Sequence, residues 1–325
     1  MNILLVGGAG YLGGALTDLL QETPHAVRVY DRLLYEESYR KNVPFVLGDV
    51  RDTATLQPHL DWADVVVWLA ALVGDGACAL NEALTLEVNR DALQYAADHF
   101  DGRMLFLSSC SVYGAMDGLL HEASALHPLS LYARTKLWGE EMLAKKNAIS
   151  FRLGTLYGLS DRFARVRFDL VVNTLVMRAV LHKNIEVFGG AQFRPHLHVF
   201  DAARVLVNQL ESSAKGVFNL HGENLTVMEV ANKVKRRLPE THVEVTTAPF
   251  EDLRNYSVTS EKAARELGFC PKRTVDEGID EIAALLQEGR VTDSFLSRYS
   301  NYLYLKPLLQ SYTSPLGEVL TSSTS

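Results

Sequence analysis

Short apolar runs alternate with longer stretches of helical period through the first half of this 325-residue chain. Residues 2–6, 26–30, 45–47, 65–70, 104–108 and 149–153 read as strands. Residues 11–21, 80–99 and 131–145 repeat their apolar positions as helices do. Strands alternating with helices predict an α/β fold in which helices cover both faces of a doubly wound parallel sheet. Beyond residue 154 the pattern loosens. Helices are expected near 169–182, 202–210, 226–237 and 275–287, with Gly268-Phe269-Cys270-Pro271 closing a short one before the last. No Pro/Gly/Ser linker divides the chain. The expected organisation is a nucleotide-binding domain over 1–165 with returning segments near 185–220. A smaller α/β lobe takes 166–184 and 221–292, and a tail of no assigned role takes 293–325.

The first strand runs into Gly7-Gly8-Ala9-Gly10-Tyr11-Leu12-Gly13 at the start of a helix. Glycines at 7, 10 and 13 permit a tight turn, close approach of backbone to a pyrophosphate, and close helix–sheet packing. The free N–H groups of the helix start then face an anion. Asp31 ends the second strand 18 residues past Gly13, where a carboxylate can accept hydrogen bonds from adenosine ribose hydroxyls and repels a 2′-phosphate. NAD is therefore favoured over NADP, against the opposing signal of Arg32 beside it. Asp49, with Val50, follows the third strand and is placed to meet the adenine, or is a plain strand-end turn residue.

Tyr132 and Lys136 lie four apart on one helix face. A phenol with a pKa of about 10 needs roughly 4 kcal/mol of differential stabilisation to be half ionised at pH 7. One exposed lysine cannot supply that, so a second positive charge, such as an oxidised nicotinamide, has to help. Taken alone the spacing also suits a solvated helix face. Ser108-Ser109-Cys110-Ser111-Val112-Tyr113-Gly114 follows the fifth strand, at the edge where α/β sheets bind ligands. A serine there can hydrogen-bond both a substrate hydroxyl and Tyr132, and otherwise this is an ordinary polar loop.

The net charge of −7 argues against non-specific nucleic-acid or membrane-surface binding, though not against a small anionic ligand held locally. Cys78, Cys110 and Cys270 show no paired or metal-like spacing, so no metal is expected and a reducing cytoplasm is the natural setting. A strand already under way at residue 2 leaves no room for a signal peptide.

Together these segments resemble the extended short-chain dehydrogenase/reductases, and in particular their nucleotide-sugar epimerase/dehydratase branch. Gly7-x-x-Gly10-x-x-Gly13, Leu69-Ala70-Ala71, Asn89, the loop ending Val112-Tyr113-Gly114, and Tyr132-x-x-x-Lys136 carry the likeness. So do Arg152–Gly158, Arg194–Asp201 and the segments from Tyr256 to Ile279, over about residues 1–290. The resemblance implies a Rossmann-type domain and a catalytic set of Ser109, Tyr132 and Lys136. Around NAD it implies Gly7, Gly10, Tyr11, Leu12, Gly13, Asp31, Arg32, Asp49 and Val50, and further along Leu69, Ala70, Ala71, Asn89, Ser108 and the catalytic pair. For a nucleotide-diphosphate sugar it implies Val73, Thr155, Asn173, Arg194 and Arg254, with Asp252 near the base. Thr155 stands where sugar epimerases commonly carry asparagine, and Trp68 replaces a common histidine. It also implies a homodimer paired through helices 80–99 and 131–145.

In such enzymes a hydride leaves the sugar C4–H for NAD while Tyr132 takes the hydroxyl proton. A 4,6-dehydratase needs a second acid/base pair, which similar enzymes supply as Asp-Glu directly after the catalytic Thr. Here those positions are Cys110 and Ser111, so C4 epimerization is the expected reaction. Dehydration, 4-ketosugar reduction and a non-catalytic NAD(H) sensor are the alternatives. Cys110 is either a packed thiol or, with Ser111, a further acid/base candidate.

Overall fold

The computed structural model describes residues 1–163, 165–246, 254–291, 293 and 296–310. Seven parallel strands form the central sheet, in the spatial order 216–220, 148–153, 103–109, 65–68, 2–6, 26–31, 45–47. This is the expected α/β, doubly wound architecture. The order reverses between Asn2–Val6 and Val65–Trp68, which makes the carboxyl ends of those two strands the place for a ligand. The strands are near-continuous Val, Ile, Leu and Phe because both faces are covered. One face packs the helices Tyr11–Gln21 and Val199–Asn208, and the other packs Ala92–His99 and Leu131–Leu143.

The expected elements of the first half are present, with one revision. The stretch 80–99 is not one helix. Asn81 caps Glu82–Leu86 by accepting the Leu84 N–H, Glu87–Asp91 widens into a π turn, and Ala92–His99 resumes α geometry. The helix Thr53–Trp62 carried no readable signal, since its proline and weak amphipathicity hide it, although Asp52 caps it.

The smaller lobe has its own apolar core, built from Val172, Val176, Ile185, Val187, Val230, Val234, Ile279 and Ile282 among others. The strand Asn184–Phe188 pairs with His242–Thr246 in a separate two-stranded sheet within that core. Residues 184–188 thus stand in a sheet of their own, apart from the central one. The seventh strand, Gly216–Leu220, carries no clear mark in the sequence because Asn219 breaks its short apolar run.

Candidate active site

A cavity of about 740 Å³ opens along the carboxyl ends of the central strands. The glycine turn forms its floor. Gly7 has φ +83°, and a Cβ there would meet the Ala70 nitrogen at 2.4 Å, so glycine is required where the first and fourth strands' loops close together. A Cβ on Gly13 would meet the Gly8 carbonyl at 2.4 Å, while Gly10 has only the Gly7 carbonyl nearby at 3.5 Å. Gly10 caps the helix Tyr11–Gln21 with no side chain on its free N–H groups. The turn is therefore a bare cradle for a pyrophosphate.

Asp31 lies at the cavity wall with Oδ2 accepting the Ala9 N–H at 3.0 Å and Oδ1 accepting the Leu33 N–H at 2.8 Å. Burial pulls its pKa up against those two hydrogen bonds. Arg32 turns to Asp49 at 3.1 Å, and Asp49 also holds Arg51 at 2.9 Å. The arginine that would suit a 2′-phosphate is thus already engaged by a carboxylate. Val50, Leu69, Ala70, Ala71 and Leu12 line the same stretch of wall. These features fit a dinucleotide with a free ribose 2′-hydroxyl.

Tyr132, Lys136, Ser108, Ser109 and Ser111 line the cavity together. Ser130 sets the start of the Tyr132 helix, accepting the Ala133 N–H at 3.1 Å and donating to Asp75 Oδ1 at 2.7 Å. Lys136 is buried, not exposed as the helix spacing alone suggests, with its ammonium 5.7 Å from the Tyr132 ring centre and 5.2 Å from that of Phe106. Burial lowers its pKa to about 8. Burial drives the Tyr132 phenol the other way, upward, with Cys78 adding to the rise and a hydrogen bond from Ser109 opposing it. Neither charged form is favoured in this apolar wall by itself, so a cation bound beside Tyr132 has a large effect on its ionisation.

Beneath the serine loop lies a buried ion pair. Arg152 Nη2 meets Glu140 Oε2 at 2.6 Å, and Arg152 Nη1 donates to the Tyr113 hydroxyl at 3.0 Å. Ser108 Oγ donates to Glu140 Oε1 at 2.5 Å, and Tyr113 donates to Asn219 Oδ1 at 2.8 Å. This network ties the strand before Ser109 to the helix bearing Tyr132.

Several expected site residues do other work. Cys110 points away from the cavity: its Sγ donates to the Arg152 carbonyl at 3.2 Å, and burial pushes its pKa up. It is a packed thiol, which corrects its candidacy as an acid/base. Ser111 faces the cavity but is held by Ser109 Oγ at 3.1 Å and by Arg254 at 3.2 Å. Asn89 does not reach the cavity; it exchanges hydrogen bonds with the Leu72 backbone at 2.8 and 2.9 Å, fixing the loop that does. Asn173 likewise clamps the Gly158 backbone, accepting its N–H at 3.0 Å and donating to its carbonyl at 3.3 Å. Arg194 is buried outside the cavity, donating to the Phe193 and Arg254 carbonyls, with its guanidinium 5.9 Å from the Tyr256 ring centre. Val73, Thr155 and Arg254 do line the cavity, whereas Asp252 lies outside the described residues.

Sequence reasoning missed Asp75, Arg165, Arg167, Asp169, Asn301 and Tyr302, all on the cavity wall. The only local mark was the basic pair in Arg165-Val166-Arg167, and nothing along the chain said which way it faces. Among the described residues there is no cluster of His, Cys, Asp and Glu able to hold a metal, and no helix long and apolar enough to cross a membrane.

Comparison with known proteins agrees with this geometry. A family model described as the NAD dependent epimerase/dehydratase family matches residues 3–220. The chain is 28% identical over 321 residues to a dTDP-glucose 4,6-dehydratase of Actinoplanes sp., covering 89% of this chain and 99% of that one. It is also 28% identical over 311 residues to the UDP-glucose 4-epimerase of Corynebacterium glutamicum, covering 84% and 92%. Among solved structures, MoeE5 in complex with UDP-glucose and NAD superposes with a TM-score of 0.78 at 25% identity, covering 90% of this chain and 100% of that one. A bare glycine cradle, a carboxylate at the end of the second strand and Ser109, Tyr132 and Lys136 on one cavity wall, on a chain so matched, identify it as a member of the NAD-dependent epimerase/dehydratase family, with NAD as its cofactor.

Proposed function

We propose that this chain is a nucleotide-sugar epimerase that inverts C4 through a transient 4-keto sugar. One observation carries the choice of reaction. Ser109, Tyr132 and Lys136 share the cavity wall, while the two positions after Ser109 offer no carboxylate, Cys110 being turned inward and Ser111 being a hydroxyl. Epimerization requires one proton-transfer group and room for the 4-keto sugar to turn over, and nothing more.

In this reading the Tyr132 phenolate takes the C4 hydroxyl proton and later returns it. Ser109 donates to the same substrate oxygen and keeps Tyr132 oriented, and Lys136 favours the phenolate. NAD, when bound, supplies hydride acceptance and return. The glycine turn, Asp31 and the wall from Leu69 to Ala71 are the residues that would hold it.

The competing reading, 4,6-dehydration, draws on Asp75, whose carboxylate also faces the cavity. Asp75 is already bound to Ser130 at 2.7 Å and lies 3.5 Å from Arg254, which favours a structural carboxylate over an acid/base. Turnover of nucleotide sugars in deuterated water, read by NMR of the product, separates the two. Epimerization returns the substrate's own hydrogen to C4 and leaves the product free of deuterium. Deuterium on a carbon next to the ketone would sink the proposal.

A homodimer paired through the outward faces of 82–99 and 131–143 belongs to the same proposal, as does a cytoplasmic setting, which suits three unpaired cysteines. Sedimentation at micromolar concentration is expected to give twice the chain mass, and a monomer there would refute the pairing.

A further inference from the structure

The family match ends at residue 220, yet residues 296–310 reach back across the chain to the cavity. Asn301 is buried and makes three hydrogen bonds, to the loop holding Arg165 and Asp169 and to the loop holding Val73. Its N–H donates to Asp169 Oδ2 at 2.8 Å, its Nδ2 donates to the Val73 carbonyl at 3.0 Å, and its Oδ1 accepts from Arg165 Nη2. The Arg298 carbonyl accepts from Arg165 Nη1 at 2.7 Å, and the Arg298 guanidinium meets Glu36 at 3.6 Å. Tyr302 packs against Gly76, 3.3 Å from where a β-carbon would stand. Leu305 anchors the segment in the core under the central sheet, with no exposure. The segment thus joins the loop after the second strand to the loop after the fourth, across the cavity mouth.

Two guanidinium groups result, both on the cavity wall. Arg167 is neutralised by Asp169 through hydrogen bonds of 2.8 and 2.9 Å. Arg165 is 8% exposed, and its guanidinium lies 4.0 Å from the Tyr35 ring centre. Among the described residues no carboxylate comes within 4.0 Å of that guanidinium, since Asp169 pairs with Arg167 and Glu36 with Arg298. Of its five N–H groups, the two given to Arg298 and Asn301 leave three for a ligand. Burial, with Arg167 beside it, lowers its pKa to about 10. Asp169 and Glu36 oppose that shift from a distance, Glu36 while accepting the Arg165 backbone N–H at 3.1 Å, and a buried guanidinium without a directly paired anion is costly unless a ligand completes it. A planar fork on a cavity wall suits phosphate geometry.

We propose that the C-terminal segment completes a diphosphate subsite on Arg165 and Arg167, with Asn301 as its positioning residue. The inference rests on the reading that the cavity takes NAD and a nucleotide sugar, each of which carries a diphosphate. The subsite lies outside the residues that the glycine turn and Arg194 pointed to.

The test compares full-length wild type, Arg165→Met, Arg165→Lys and Asn301→Ala. Affinity is measured for nucleoside diphosphates and, as the control, for the same nucleosides without phosphate. The rate at which NAD leaves the holo-protein is measured in parallel. Arg165→Met is expected to weaken one diphosphate ligand about 10- to 100-fold while leaving the nucleosides unchanged. Arg165→Lys should recover part of the loss, and Asn301→Ala should lose roughly 3- to 10-fold on the same ligand only. A loss confined to NAD retention assigns the subsite to the dinucleotide, and one confined to nucleoside diphosphates assigns it to the sugar donor. Both outcomes support the subsite. Unchanged binding of both ligands in Arg165→Met and Asn301→Ala would overturn it, as would equal weakening of nucleosides and diphosphates. Should Arg165→Met fail to fold, the lysine and Asn301 variants carry the same comparison. A wild type that binds no nucleoside diphosphate at all would overturn the nucleotide-sugar reading, and NAD retention alone would then decide the subsite.

Discussion

Tyr132→Phe is expected to lower turnover of the proposed nucleotide-sugar substrate by about 10³- to 10⁴-fold, roughly 4 to 5.5 kcal/mol in activation free energy. The substitution removes one oxygen from a cavity wall and leaves the ring, so affinity for NAD and for the nucleotide should stay within about threefold. The size of the effect follows from how the site is built. Burial drives the phenol's pKa upward, so its ionisation depends on a positive neighbour more strongly than an exposed tyrosine's would. Lys136 has its own pKa lowered to about 8 by the same burial, so a second cation beside Tyr132 adds to its effect on the phenolate. Loss of the hydroxyl removes the group on which both cations act. Measured kcat and KM across a panel of nucleotide sugars decide the matter. A Phe variant that matched wild type would leave only an NAD(H)-binding protein without turnover.

Glu140→Leu is expected to cost about 3–5 kcal/mol of stability, because it strands Arg152 as a buried charge. Both side chains are nearly fully enclosed, at 4% and 5% exposure, so water cannot replace the lost carboxylate. Ser108 also loses its acceptor. Urea unfolding should register the loss, with a fall in Tm on the order of 10 °C. Adding Arg152→Met should recover much of it, since two apolar groups of similar volume need no counter-charge. A single variant within about 1 kcal/mol of wild type would show that water or a neighbour satisfies Arg152, and the network would lose its assigned role. Activity should fall further than stability alone dictates, because the pair aligns the Ser109 loop with the Tyr132 helix.

The outcomes at Cys110 and Arg194 show how far motif and geometry diverge. Both were legible as residues of interest, Cys110 by following the catalytic serine and Arg194 by its motif. Folding turns Cys110 under the loop toward the Arg152 carbonyl and ties Arg194 to the Phe193 and Arg254 carbonyls. Asn89 and Asn173 share that fate, each spending its amide on backbone. An asparagine able to satisfy a loop's N–H and C=O at once is worth more as a clamp than as a ligand contact, and spacing along the chain cannot tell the two apart.

What the sequence determined by itself is what neighbouring residues decide together. Apolar runs at period two and at helical period specify the strands and helices, since only one face or both can be buried. The glycines at 7 and 13 specify the turn, because a β-carbon at either would strike backbone at 2.4 Å. The four-residue spacing puts Tyr132 and Lys136 on one face. Tertiary structure decided everything that depends on distance through space. It buried Lys136, and so set the direction of its pKa shift. It joined Glu140 to Arg152 beneath the serines, and carried Asn301 to Val73 and Arg165 across more than a hundred intervening residues. Electrostatic interactions act through the folded medium and hydrogen bonds need contact, so the chain's order holds no record of either until the sheet and lobe have closed around the cavity.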